Sequence, residues 1–258
     1  MNAPLEEKAA AITRFSVWQR VEHFGIMIFF TLLVVTGMPQ KYFGAGFSAK
    51  VVAWLGGIDA TRLIHRVSGF IFAGIVLAHL AISIWQVATR RLTTLHIVPH
   101  KQDYRDAIQT LRYYVGLSKQ PAKFDRYDYR QKFEYWGMVA GSLIMTFTGF
   151  ILFWPALVAS VLPGQLIPAA KVMHSYEGLM AFLVVIVWHL YNAHLSPDVF
   201  PFDTSIFTGK ISRERMEHEH PLELERIEGS PVEPHAQQAH EAPLPKRPGA
   251  EPPAAPSP

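Results

Sequence analysis

Four apolar blocks limit the fold of this chain more than any other feature. Phe24 to Gln40, Val67 to Thr89, Tyr135 to Ala170 and Gly178 to Pro197 contain no Asp, Glu, Lys or Arg. A helix crossing a hydrocarbon core of about 30 Å needs roughly 20 residues, or about 17 at the short end. A chain that is 50% hydrophobic and 17% charged could also be a compact soluble domain, but residues gathered into blocks of this length point to four membrane spans. The expected fold class is all-α, a four-transmembrane-helix bundle. Leu5 to Arg20 carries Glu6, Glu7, Lys8, Arg14 and Arg20 and no apolar core, so no cleaved leader is expected and the first helix stays.

Charge sets the expected orientation. The segment Arg90 to Glu134 holds ten basic residues, Met38 to Ala60 has only Lys41 and Lys50, and Pro155 to Ala170 has none. The positive-inside rule then puts both termini and the central loop in the cytoplasm, with two short loops outside. Span 1 is read from Val17 to Met38, ending at Pro39. Span 2 runs from Arg62 to Ala88 and stops at Arg90 and Arg91, span 3 from Tyr135 to Pro155, and span 4 from Lys171 to just before Pro197. Asp103 to Tyr114 reads as a surface helix, because Ala107, Ile108, Leu111 and Tyr114 share one face, and Lys119 to Asp128 as irregular. The domain plan is therefore a cytoplasmic segment at 1–16, a membrane domain at 17–197, a cytoplasmic segment at 198–228, and a Pro- and Ala-rich tail at 229–258. That tail has too little apolar area to offset its ordering entropy, so it is expected to be disordered.

Within or at the ends of the spans stand His23, His65, His79, His174 and His189, and the chain has no cysteine. Disulfides, thiolate metal sites, iron-sulfur clusters and covalently attached c-type haem are thereby excluded, leaving histidine as the main candidate metal ligand. An imidazole is costly in hydrocarbon unless something binds it. His65 and His174 each enter from the outer end of a span. His79 lies 14 residues beyond His65, and His189 15 residues beyond His174. At 1.5 Å and 100° per residue these offsets are about 21 and 22 Å, returning to within about 40° and 60° of the starting face. Two depths with facing imidazoles suit two bis-histidine b-type haems. At the inner depth either His23 or His79 can face His189, and a third haem using the spare histidine with His194 is conceivable.

The other histidines, His194, His96, His100, His218, His220, His235 and His240, are expected to be solvated. No two span histidines in one helix are three or four apart, which excludes a di-iron site. Gly69 and Gly178, one turn after His65 and His174, leave backbone bare for a flat macrocycle. Arg62 and Arg66 can serve propionates or anchor the span end, with Glu177 as a possible pair for one of them. A weak internal repeat, Thr36-Gly37 followed by His65-x-x-x-Gly69 and Thr148-Gly149 followed by His174-x-x-x-Gly178, suggests two related hairpins.

In this order the motifs Arg20-x-x-His23, Thr36-Gly37, Arg62-x-x-His65-x-x-x-Gly69, Gln131-Lys132, Thr148-Gly149 with Trp154-Pro155, His174-x-x-x-Gly178 and His189-x-Tyr191 are similar to the cytochrome b (gamma) subunits of respiratory formate dehydrogenase, nickel-iron hydrogenase and thiosulfate reductase complexes. The resemblance covers roughly Arg14 to Ile227. It implies an outer haem on His65 and His174, an inner haem on His23 and His189, and a quinone near the inner haem. The quinone loop of that family reads Tyr-Asn-x-Gly-Gln-Lys; here the run Tyr127-Asp128-Tyr129-Arg130-Gln131-Lys132 has aspartate for asparagine and arginine for glycine. Asp128, Arg130, Gln131 and His189 are thus the candidate quinone residues, with Asp128 either a proton source or the ion-pair partner of Arg126 or Arg130. His79 departs from the family pattern.

The expectation is a multi-pass electron-transfer subunit of the bacterial inner (plasma) membrane. It would link the quinone pool to a periplasmic partner, either a multihaem cytochrome or an iron-sulfur or catalytic subunit. The expected contacts are lipid and quinone and no nucleic acid. The alternatives are a stand-alone cytochrome b561-like reductase and a non-haem membrane anchor or transporter.

Overall fold

The computed structural model describes residues 11–89, 96–197 and 199–229. Arg90 and Arg91, His235 and His240, and all of the expected tail except Gly229 lie outside these residues. Among the described residues four long helices are apolar enough to cross a membrane: α1 (Val17–Lys41), α3 (Ile58–Ala88), α5 (Tyr129–Phe153), and α7 (Leu166–Leu183), which continues as π-helical turns over Val184–His189 and Tyr191–Leu195. They close a ring in which α1 packs on α3, α3 on α5, α5 on α7, and α7 on α1. Short helices α2 (Gly46–Trp54) and α6 (Pro155–Val161) fill the two loops at one end, here called the hairpin end. The other end, here called the terminal end, carries the first and last described segments and α4 (Lys101–Tyr114).

The helix boundaries follow local chemistry. Ser16 caps α1 and exchanges bonds with Gln19, its side chain accepting from the Gln19 N–H. The helix passes Pro39 and ends at Lys41, because a proline near the last turn removes only one backbone bond. α5 begins six residues before the expected start, since Asp128 accepts from the Gln131 N–H at 2.8 Å and makes a full capping box. α3 begins four residues early, directly after the Gly56-Gly57 turn.

Between the long helices the buried residues are mainly small or hydroxylic, such as Thr36, Thr61, Ser68, Ala73, Gly141, Thr148 and Ala170, which lets backbones approach without a water-driven core. Large apolar side chains such as Ile28, Leu63, Ile84, Phe147 and Val187 point outward, where lipid is their solvent. α4 also turns its apolar residues Tyr104, Ile108, Leu111 and Tyr114 outward and buries Thr110. Asp103 in its first turn bonds Lys132 of α5 at 2.7 Å, fixing α4 against the start of that span.

At the terminal end a small cap forms. β1 (Ala11–Thr13) pairs antiparallel with β2 (Lys210–Ser212), with Ile12 opposite Ile211. α8 (Ser205–Thr208) leads into β2, and α9 (Arg213–Glu219) and α10 (Pro221–Glu228) follow it. Ile211, Met216 and Leu224 make the cap core, with Ile12 against it. Gly209 joins α8 to β2 at φ +78°, and a Cβ there would fall 2.7 Å from the Phe15 carbonyl. Only glycine suits both the left-handed backbone and that approach. Ala11–Thr13 and the described residues from 205 to 229 thus fold together.

The cap is pinned by charge. Glu223 is held by Arg14 and, at 2.6 Å, by Arg126, while Arg126 also donates to the Arg14 carbonyl at 2.7 Å. Arg14, His220 and Glu223 are all buried. Expected to be solvated, His220 is instead 4% exposed. It sits between two groups only a neutral imidazole can serve: Arg14 Nη2 at 3.1 Å donates to its Nε2, so its Nδ1–H donates to the Asp125 carbonyl at 2.8 Å. Burial, with the Arg14 guanidinium second, holds its pKa down at about 4.

Candidate functional site

Two pairs of imidazoles face each other across the bundle, each with ring centres 6.2 Å apart: His65 with His174 toward the hairpin end and His23 with His189 toward the terminal end. A metal bound between two imidazole nitrogens, each bond about 2.0 Å long, places the ring centres about 6 Å apart. The spacing of both pairs suits an iron between them.

The residues around the rings decide which nitrogen is free. Thr36 Oγ1 donates its single proton to the Leu32 carbonyl at 2.6 Å and lies 2.9 Å from His65 Nδ1. A hydroxyl that has given its proton can only accept, so His65 Nδ1 carries the hydrogen and Nε2 keeps a bare lone pair. The second hairpin repeats this: Thr148 Oγ1 donates to the Ile144 carbonyl at 2.6 Å and sits 2.9 Å from His174 Nδ1. The glycine after each threonine gives the ring its room. A Cβ at Gly37 would lie 3.1 Å from His65 Cε1, and one at Gly149 3.4 Å from His174 Cε1. At the terminal end Glu134 of α5 takes the Nδ1–H of His189, again leaving Nε2 free. His23 Nδ1 is buried without a hydrogen-bond partner, an orphaned polar atom beside the pair.

The π-helical turns of the fourth span bear on this alignment. An i→i+5 turn rotates less per residue than an α turn, and so removes part of the roughly 60° offset that 15 α-helical residues would leave between His174 and His189. His79 is engaged elsewhere: its Nδ1 is 2.7 Å from Glu22 Oε1 and its Nε2 2.7 Å from the Tyr135 hydroxyl. His194 stacks on Phe202 at 4.1 Å with the rings 2° from parallel. Gly69 and Gly178 lie against Leu33 of α1 and Met145 of α5. The Arg66 guanidinium is 5.5 Å from the Phe153 ring centre. Glu177, offered by the sequence as a pair for Arg62 or Arg66, turns instead toward α5, where a Cβ at Gly141 would be 2.6 Å from its Oε1.

A cavity of about 3090 Å³ opens at the terminal end between the helices and the cap, bordered by Glu22, His23, His79, Glu134, Tyr135 and His189 and by Tyr127, Asp128, Arg130 and Gln131. Ligand pockets commonly measure about 300 to 1,000 Å³, so this one has room for a macrocycle and a second ligand. Of the two pairings open to Asp128, the structure shows the one with Arg130, whose Nη2 and Nε donate to Asp128 Oδ2 at 2.7 and 3.0 Å. Gln131 closes the capping box, its Oε1 accepting from the Asp128 N–H at 3.2 Å. Glu22, Glu134 and Tyr135 were not singled out in the sequence. The available signal was two carboxylates at the margins of the apolar blocks, one directly before His23 and one directly before Tyr135.

A four-helix membrane bundle with imidazole pairs at two depths defines a b-type membrane cytochrome. Residues 14–197 match the prokaryotic cytochrome b561 family, and the chain belongs to that family. It is also similar to the cytochrome b556(Fdn) subunit of nitrate-inducible formate dehydrogenase from Escherichia coli strain K12, Escherichia coli O157:H7 and Shigella flexneri, at 21% identity over 226 residues covering 86% of this chain and 94% of each relative. The protein is a multi-pass cytochrome b of the bacterial inner membrane with an electron-transfer role.

Proposed function

We propose that this cytochrome holds two haems, one between His65 and His174 and one between His23 and His189, and carries electrons between the quinone pool and a redox subunit on the opposite side of the membrane. The observation that carries this reading is the equal 6.2 Å spacing of the two pairs. When bound, the haems supply one-electron redox chemistry. The chain's residues supply ligation and orientation. Thr36 and Thr148 fix the tautomers of the outer ligands, Glu134 fixes that of His189, and Gly37 and Gly149 let the outer rings approach the neighbouring helices. Gly69 and Gly178 keep the helix surface low one turn from these ligands, and Arg66 supplies positive charge near the hairpin end.

Neither His79 nor His194 is assigned to iron, so the third haem falls away: the 2.7 Å between His79 Nε2 and Tyr135 is too short to admit a metal between two donors, which needs about 4 Å. The terminal end is taken as cytoplasmic from its basic residues. The large cavity there is the quinone site, with Gln131, the Asp128 and Arg130 pair, and His189 on its border. By likeness to the formate dehydrogenase subunit, the partner is a catalytic or iron-sulfur subunit of a respiratory complex.

A pyridine haemochrome assay on the purified chain tests the assignment, with two b haems per chain expected. His65→Ala and His23→Ala should each retain one, while His79→Ala keeps both. A ratio of one or three, or loss of a haem from His79→Ala but not from His23→Ala, would overturn it. Isolation from membranes without any associated redox subunit would favour the stand-alone reductase.

A further inference from the structure

The two hairpins repeat more than their outer threonines. Glu134 of α5 bonds Nδ1 of His189, and Glu22 of α1 bonds Nδ1 of His79 on α3. The residue after each glutamate then reaches across the bundle to the other hairpin's histidine: His23 faces His189, and Tyr135 faces His79. The inner level therefore has two quasi-equivalent positions built on one plan. One ends in a pair of imidazoles spaced for iron. The other ends in a phenol hydrogen-bonded to an imidazole, with no space for a metal.

We propose that this second position is a proton-transfer site for the quinone, in which His79 exchanges protons with the quinone oxygen through the Tyr135 hydroxyl while Glu22 orients the ring through Nδ1. The proposal rests on the quinone reading above. Three observations support it. The Glu22 carboxylate can only accept, so His79 Nδ1 carries a hydrogen and Nε2 is the basic nitrogen, aimed at a hydroxyl that can pass a proton on. His79, Glu22 and Tyr135 all border the terminal-end cavity, and the His79 side chain is only partly buried. Ionisable groups within spans characteristically line proton paths, and here Glu22 from α1 and Tyr135 from α5 are the ionisable groups that meet His79 among the described residues.

The step balances. A hydroquinone gives up two electrons and two protons to become a quinone, and a haem held by His23 and His189 would be the one-electron acceptor. For each proton, the hydroquinone O–H bond breaks and its hydrogen joins the Tyr135 oxygen as the phenol passes its own hydrogen to His79 Nε2. The ring, now protonated on both nitrogens and held by Glu22 at Nδ1, then releases a proton to solvent and is ready for the second. Quinone reduction runs the same steps in reverse.

The test compares two reductants on the full haem-loaded chain in nanodiscs: duroquinol, whose oxidation requires proton release, and dithionite, which requires none. In His79→Gln, haem content and reduction by dithionite should match wild type, while reduction by duroquinol slows by about 100-fold, the scale of a lost general base. Tyr135→Phe should show the same split. His79→Gly should regain duroquinol reduction on adding imidazole, which a packing role would not give. Wild-type rates with duroquinol in His79→Gln overturn the proposal, as does equal slowing with both reductants or loss of a haem. Wild-type protein that dithionite reduces and duroquinol does not overturns the quinone reading itself, and this site with it.

Discussion

At the scale of single residues, each proposed outer ligand depends on one hydroxyl. Thr36 and Thr148 give their protons to their own helices and accept from His65 and His174, so valine at either position keeps the shape and removes the acceptor. The histidine then loses the bond that fixes its tautomer, and losses of such supporting bonds commonly cost about 10- to 100-fold in metal affinity. Thr36→Val and Thr148→Val should each weaken retention of the outer haem by that amount, measured as transfer to apomyoglobin, with the inner haem unaffected. Transfer at the wild-type rate would show that the hydroxyl does not position the ligand. Gly37→Val should act more severely, because even a Cβ there reaches 3.1 Å from the His65 ring. The outer haem should be absent from its spectrum.

At the scale of elements, one carboxylate, Glu223 of α10, joins α10 to Arg14 just after β1 and to Arg126 in the loop before α5. Removing one partner of a buried ion pair costs about 3 to 5 kcal/mol, whereas replacing both by apolar side chains can be neutral. Arg14→Met or Glu223→Met alone should therefore speed amide exchange at Met216 and Leu224, and the double variant should restore protection in part, with Arg126 left as the unpaired cation.

The cap should also respond to pH through His220. Its folded pKa of about 4 lies below the ordinary histidine value of about 6.5. The unfolded chain thus takes up a proton that the folded cap refuses, and the stability present above pH 6.5 declines as the pH falls from there toward 4. The protection factor at Leu224, in which the intrinsic pH dependence of exchange is divided out, should fall between pH 7.5 and 5 in wild type and much less in His220→Gln.

Little of this cap was legible in the sequence. Its strands have three residues each and its core only a few side chains, so no periodicity announces it, and the pairing of Ala11–Thr13 with Lys210–Ser212 spans nearly the whole described chain. The spans were legible because each carries its own signal in an unbroken apolar block. Their ends were less so: α5 starts at its Asp128 cap, through charged residues that a search for apolar blocks stops short of.

At the scale of the whole molecule, the ring of four helices places its chemistry by an approximate two-fold repeat. The outer level was readable from the sequence because both halves keep the same Thr-Gly and His-x-x-x-Gly spacing. The inner level was not, since there the halves diverge, His23 in one and Tyr135 in the other, and spacing along a helix cannot say which ring crosses to which. That divergence gives the bundle a direction.

If quinone chemistry belongs to the terminal end, electrons from a quinol reach the outer pair only by way of the inner one, over about 20 Å of helix. His189→Ala should then leave one haem that dithionite reduces normally and duroquinol reduces at least about 100-fold more slowly than in wild type. His65→Ala should leave one haem that duroquinol reduces at the wild-type rate. The opposite pattern, with duroquinol reducing the haem of His189→Ala and sparing that of His65→Ala, would place the quinone at the hairpin end and reverse the polarity argued from the cavity.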